Sequence, residues 1–107
     1  MKGLGGNMGG MMKQAQEFQK KMAQVQDDLR TRVVEGAAGG GMVKAQVNGK
    51  LELVAIKIDP EVVDPEDTDM LQDLIIAAVA QGTKKAQELA EQEMAKVTGG
   101  LSIPGLF

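Results

Sequence analysis

Between Pro65 and Thr98 no residue firmly stops a helix, and that constrains the whole molecule. A helix over 65–98 is roughly 50 Å long, whereas a compact chain of this size is about 30–35 Å across. Such a helix has to project. Asp64-Pro65-Glu66-Asp67 offers its start, with an N-cap, a proline at the first helical position and acidic residues in the first turn. Gly99-Gly100 offers its end. Gly82 weakens the middle, and Leu74–Ala80 is apolar all round, which predicts burial from more than one side.

A second helix precedes it. Met8, Met11, Ala15, Phe18, Met22, Val25 and Leu29 recur in steps of three and four, which predicts an amphipathic helix whose stripe faces another long helix. At roughly 35 Å it is the only segment able to accompany the first. The two are expected to form an antiparallel arm anchored on a sheet.

The sheet is read from the middle of the chain. Arg30–Gly36 is β-branched and alternating, and Gly36-Ala-Ala-Gly-Gly-Gly41 follows as a flexible loop. Met42–Val47 and Lys50–Ile58 flank Asn48-Gly49, a pair suited to a type I′ hairpin turn because both central residues need positive φ. That register sets Val43 opposite Val54. It predicts one buried face carrying Val43, Ala45, Val47, Val54, Ile56 and Ile58, with Leu51 and Leu53 on the other. Asp59-Pro60 ends the sheet. The expectation is an α+β fold, a long helix, a three-stranded antiparallel sheet and a long helix, in a single domain over 1–107 with flexible tails at 1–9 and 99–107.

One arm and three strands make a thin core, and a three-stranded sheet leaves edges that proteins cover or pair. A homodimer is therefore expected, with Leu51, Leu53, Leu71, Leu74, Ile75, Ala78 and Val79 in its interface.

The residue inventory then excludes most chemistry. The 107 residues include no Cys, His, Trp or Tyr and a single serine, Ser102. A thiolate nucleophile, an imidazole base and an N/S metal site are all absent as possibilities. The acidic run Asp59, Glu61, Asp64, Glu66, Asp67, Asp69, Asp73 lacks the glycine and terminal Glu of a calcium loop, and helix capping explains it better. No phosphate-binding glycine motif is present. The chain is expected to be a binding protein, not an enzyme, with no cofactor and no small-molecule substrate. The glycine-broken N-terminus is no secretory signal and Leu74–Ala80 is too short to span a bilayer, so the cytoplasm is the expected location, without a membrane partner.

Charge points to the partner. Net charge is −3, but its distribution is polar. Residues 1–21 and 84–107, taken as the outer arm, hold Lys2, Lys13, Lys20, Lys21, Lys84, Lys85 and Lys96 against four glutamates, a net +3, and the remainder carries −6. Such a field draws a polyanion to the arms and repels it from the sheet. Lysines at the start of the first helix add to the positive end of its macrodipole, which costs helix stability and so points to a binding role. The competing reading is that Lys13 and Lys21, each four residues from Glu17, form solvated ion pairs.

Taken in order, Met11-Met-Lys-Gln-Ala-Gln16, Lys21-Met22, Gly39-Gly-Gly-Met-Val-Lys44, Val47-Asn-Gly49, Ile58-Asp-Pro60, Leu71-Gln-Asp-Leu74 with Ala77-Ala78, and the ending Gly99-Gly-Leu101 and Pro104-Gly105 resemble the YbaB/EbfC family of bacterial nucleoid-associated proteins. The resemblance implies a homodimer with helical arms protruding like tweezers, binding DNA in the cytoplasm at the nucleoid and influencing nucleoid organisation or gene expression. From the charge pattern, Lys13, Lys20, Lys21, Lys84 and Lys85 are the expected DNA contacts. The alternative is a protein-interaction adaptor clamping a partner helix or peptide between Met- and Gln-lined arms.

Overall fold

A computed structural model of the chain describes the backbone of residues 2–101 and the side chains of residues 9–98. Its elements are α1 (Lys2–Thr31), β1 (Val33–Ala38), β2 (Val43–Asn48), β3 (Leu53–Ile58), a 3-10 turn (Pro60–Val62) and α2 (Thr68–Leu101). The sheet is antiparallel in the order β1-β2-β3. This is the α+β arrangement expected from the sequence. Of the anticipated tails, residues 2–9 and 99–101 fall within the two helices, while residues 1 and 102–107 lie outside the described residues.

The helix boundaries differ from expectation for a local reason. α2 starts at Thr68, and Asp67 is its N-cap, Oδ1 accepting from the Met70 N–H at 3.2 Å. Asp64 and Pro65 form a separate turn, in which Asp64 Oδ1 accepts from Glu66 N–H at 2.9 Å and the Asp64 carbonyl from Asp67 N–H at 3.0 Å. Asp59 caps the 3-10 turn through Glu61 N–H at 2.9 Å. Three members of the acidic run are thus occupied with backbone N–H groups. α1 likewise runs on to Thr31, so β1 begins at Val33 and includes Gly36, and the loop is left to Gly39, Gly40 and Gly41, with φ of 63°, 68° and 93°.

α2 lies across the sheet through a face of small residues four apart. Ala78, Gly82 and Ala86 are all buried, and a Cβ built on Gly36 of β1 would land on the Ala78 carbonyl oxygen and the Gly82 nitrogen. Helix backbone rests on strand backbone there. That contact is why Gly82 stands in mid-helix despite its poor propensity. Around it Val43, Ala45, Val62 and Ala78 form the core, flanked by Ala38, Met42, Leu71, Leu74, Ile75 and Val79.

The hairpin turn falls one step beyond the expected place. Asn48 N–H donates to the Glu52 carbonyl at 2.9 Å, Leu51 N–H donates to the Asn48 carbonyl at 3.0 Å, and Leu51 has φ 65°. This is a three-residue loop closing on a left-handed residue, not a two-residue type I′ turn. Asn48 holds it, its Oδ1 accepting from the N–H groups of Lys50 and Glu52 at 3.0 Å. Gly49 is needed for a different reason: a Cβ there would come within 2.6 Å of Leu29 Cδ2. Gly49→Val should therefore destabilise the fold by about 2–3 kcal/mol through overpacking against α1. An unchanged urea midpoint would contradict this placement.

The longer loop resets the register. Val43 pairs with Ile58 instead of Val54, Ala45 pairs with Ile56, and Val47 pairs with Leu53, with Val54 as the extra residue of a bulge. Leu53 therefore shares the face of Val47 instead of lying opposite the core. Burial follows the helix, not the pattern alone. Val43, Ala45 and Val47 are buried as expected, but Val54, Ile56 and Ile58 are exposed. A helix about 10 Å wide covers roughly two strands spaced ~4.8 Å apart, and α2 packs on β1 and β2. β3 is left uncovered among the described residues.

The long axis of the molecule, 77 Å, exceeds the ~51 Å length of α2, so α1 overshoots it. The helices run antiparallel. Lys21, Gln24, Val25 and Asp28 of α1 line a cleft with Glu93, Lys96 and Val97 of α2.

Candidate nucleic-acid interface

The projecting end of α1 sets cations and apolar side chains on opposite faces. At 100° per residue Lys13 and Lys20 stand roughly 180° from the Met11, Ala15, Phe18, Met22 stripe, and Lys21 stands roughly 90° from it, on the flank that lines the cleft with α2. All three lysines are exposed. Among the described residues the ion pairs are Arg30–Asp27, Arg32–Glu93 and Lys96–Glu93. Neither Lys13 nor Lys21 is paired with Glu17, so the solvated-pair reading is not what this geometry displays. The first turn of α1 contains no acidic residue, but α1 begins at Lys2, so Lys13, Lys20 and Lys21 lie beyond the reach of its terminal dipole and act through their own charge.

The α2 lysines sit elsewhere. Lys85 Nζ donates to the Glu35 carbonyl at 2.9 Å, at the outer edge of β1 and about midway along α2. Lys84 is exposed beside it. Residue 84 is too early a start for the outer arm, because α2 is still seated on the sheet at Ala86. Gln81 adds a second edge contact, its Oε1 accepting from Ala37 N–H at 2.7 Å. Side chains of α2 thus occupy the outer edge of β1.

The residues expected between two copies also divide. Ala78 is fully buried against its own sheet, and Leu71, Leu74, Ile75 and Val79 pack on the chain's own core. Leu51 and Leu53 are exposed as anticipated, joined by Val54, Ile56, Ile58 and Ile76. Ile76 is roughly 140° around α2 from Gln81 and 120° from Gly82, so it faces away from the β1 edge and from the sheet.

Sequence reasoning missed one constellation. Arg32, in the link between α1 and β1, donates to Glu93 Oε1 at 2.7 Å, and Lys96 Nζ reaches the same oxygen at 3.1 Å. Arg32 and Glu93 are far apart in the chain, and no local motif joins them. Arg32 first, and then Lys96, holds the Glu93 carboxyl below the usual carboxylate range. A depressed carboxylate stabilises the fold above its unfolded pKa, and that contribution is lost as pH falls through the folded value. Glu93→Gln should accordingly be less stable than the unmodified chain at neutral pH, with the gap closing in acid. Parallel melting curves across the acidic range would check it, and a gap that widens on acidification would contradict it.

Among the described residues no three acidic side chains converge as a metal would require, and no helix is long and apolar enough to cross a membrane.

Known proteins bear on what such a surface binds. The model of the YbaB/EbfC DNA-binding family matches residues 4–101. The chain is 55% identical over 104 residues to a nucleoid-associated protein of Pelotomaculum thermopropionicum, covering 97% of this chain and 99% of that one. It is 52% identical over 103 residues to a nucleoid-associated protein of Caldanaerobacter subterraneus, covering 96% and 93%. A crystal structure of an uncharacterized protein from Helicobacter pylori superposes with a TM-score of 0.72 at 26% identity, covering 86% of this chain and 94% of that one.

Proposed function

Because the chain belongs to the YbaB/EbfC DNA-binding family, we propose that it is a homodimeric nucleoid-associated protein that holds duplex DNA by its phosphates, chiefly through Lys13, Lys20 and Lys21 of the projecting arm. Lys84, exposed on α2 beside the edge of β1 and about 20 Å nearer the sheet than Lys21, is a separate contact, and Lys85 serves β1 first. The observation that carries the reading is the exposed lysines of α1, Lys13 and Lys20 opposite the apolar stripe and Lys21 on its flank, none of them in an ion pair. Phosphate contacts position a protein without reading sequence, so unrelated duplexes are bound alike, and the consequence is nucleoid organisation and altered gene expression. The protein acts in the cytoplasm at the nucleoid, without catalysis, in keeping with a chain that has no Cys and no His.

The second copy belongs on β3. Gln81 and Lys85 occupy the outer edge of β1, whereas β3 carries Leu53, Ile56 and Ile58 on the side that α2 leaves bare. A symmetric partner covers both its edge and its face, and two chains then present two arms.

Gel-shift titrations on unrelated duplexes over a salt series test the reading. The expected result is a linear fall of log affinity with log salt, with a slope of about −0.9 for each phosphate neutralised. No shift at low salt would overturn it. Exposed Met11 and Met12 favour one other reading, an adaptor that clamps a partner helix. That reading predicts a protein partner in pull-downs and no shift.

A further inference from the structure

One carboxylate in the arm cleft holds two cations. Glu93 Oε1 accepts from Arg32 Nη1 at 2.7 Å and from Lys96 Nζ at 3.1 Å, and Glu93 lines the cleft that Lys21 and Lys96 share. The carboxylate is the most enclosed of the three, its side chain 21% exposed against 49% for Arg32 and 73% for Lys96. Arg32 meets it through one nitrogen, not through the two-pronged fork that a guanidinium makes with a carboxylate or a phosphate. Neither cation has a second side-chain partner among the described residues. The link between α1 and β1 is anchored without this cluster. Gly49 N–H donates to the carbonyls of Leu29 at 2.8 Å and of Arg32 at 3.0 Å, and Leu29 is buried against Gly49. The Arg32 side chain is therefore spare to the backbone around it.

A guanidinium and an ammonium that share one carboxylate oxygen are close enough to share one phosphate, which the same charge-assisted hydrogen bonds recognise. We propose that Arg32 and Lys96 form a further phosphate site beside Lys21, and that the Glu93 carboxylate, standing where a phosphate oxygen would stand, withholds it from DNA; this rests on the reading of the arm as the DNA surface. Arg32 and Lys96 hold the Glu93 carboxyl below the usual range, so it is charged at neutral pH and repels an approaching phosphate. Asp28, the other carboxylate of the cleft, holds no cation among the described residues. The arm then binds below the strength that its cations allow, which favours movement along the duplex over fixed attachment.

Gel shifts over a salt series, with circular dichroism at the same temperature to confirm folding, test the proposal. Glu93→Gln should bind unrelated duplexes severalfold more tightly than the unmodified protein, with a log–log slope steeper by about 0.9 for the phosphate gained. Glu91→Gln removes the same charge from an exposed position roughly 160° around α2, and should change affinity much less. Changing Arg32 and Lys96 together to Gln should cost the Glu93→Gln protein far more affinity than it costs the unmodified one. A Glu93→Gln affinity no higher than that of Glu91→Gln, or equal costs in the two backgrounds, would overturn the proposal. Acetylation footprinting of lysines in the unmodified protein reports even if Glu93→Gln folds poorly. With duplex bound, Lys13, Lys20 and Lys21 should be protected, and Lys96 should react as it does without DNA. Protection of Lys96 there would overturn the withholding by Glu93 alone, whereas no shift and no protection of the α1 lysines would overturn the arm reading on which it rests.

Discussion

Gly36→Ala, the smallest possible addition, should be among the most damaging single changes to this protein. The new Cβ would meet the Ala78 carbonyl and the Gly82 nitrogen, backbone atoms of α2 that cannot swing aside. Overpacking of this kind costs about 3 kcal/mol, which in a domain of this size lowers the melting temperature by roughly 15 °C. Gly82→Ala should cost less. Its Cβ would meet chiefly Val47 Cγ2, at 2.9 Å, on a buried and stiff side chain, but no backbone atom nearer than 3.4 Å, and the better helix propensity of alanine returns up to about 1 kcal/mol. Calorimetry of the two variants checks the order, and Gly82→Ala falling below Gly36→Ala would mean that the helix does not rest on the strand as described.

The second large effect concerns association. Ile56→Asp with Ile58→Asp should separate two copies while leaving each folded, because both side chains are exposed within the chain, at 38% and 37%. DNA affinity should then fall well over tenfold, since paired arms bind with the advantage of linked sites. Ile75→Asp or Val79→Asp should behave differently, unfolding the chain, because these residues pack on its own core. Sedimentation with circular dichroism separates the outcomes. A folded double variant that remains a dimer would place the interface elsewhere than β3.

What could be read in the sequence, and what could not, divides along physical lines. Element order and type were legible because period and breakers are local: the 3.5-residue stripe of α1, the unbroken run of α2, and Asp59-Pro60 closing the sheet. Asn48-Gly49 marked a hairpin correctly but not its register. The residue in left-handed geometry is Leu51, a choice made by the packing of Leu29 on Gly49 and by the Asn48 side chain, neither of which a dipeptide encodes. The same shift moved Leu53 to the face of Val47. Burial failed at β3 because alternation predicts a face but not how far one helix reaches across it. Among candidate site residues, the lysines of α1 were placed by helical phase alone. Lys85 was not, because its engagement with Glu35 depends on where α2 crosses β1. The Arg32–Glu93 pair left no trace in local pattern.

The central claim, that the arm and not the sheet holds DNA, is tested most directly by matched lysine variants. Lys44 lies across from Lys57 on β2 and β3, on the sheet face away from α2, and with Lys50 they form the rival cationic surface. Affinity of the unmodified protein, of Lys13, Lys20 and Lys21 changed together to Gln, and of Lys44, Lys50 and Lys57 changed together to Gln is measured over one salt series. The arm triple should weaken all duplexes alike and flatten the log–log slope by about 0.9 for each phosphate that is no longer neutralised, with its melting temperature nearly unchanged because these lysines stand off the apolar stripe. The sheet triple should keep most of the slope. If the sheet triple abolishes binding and the arm triple does not, DNA lies on the sheet and the account of the arm is wrong.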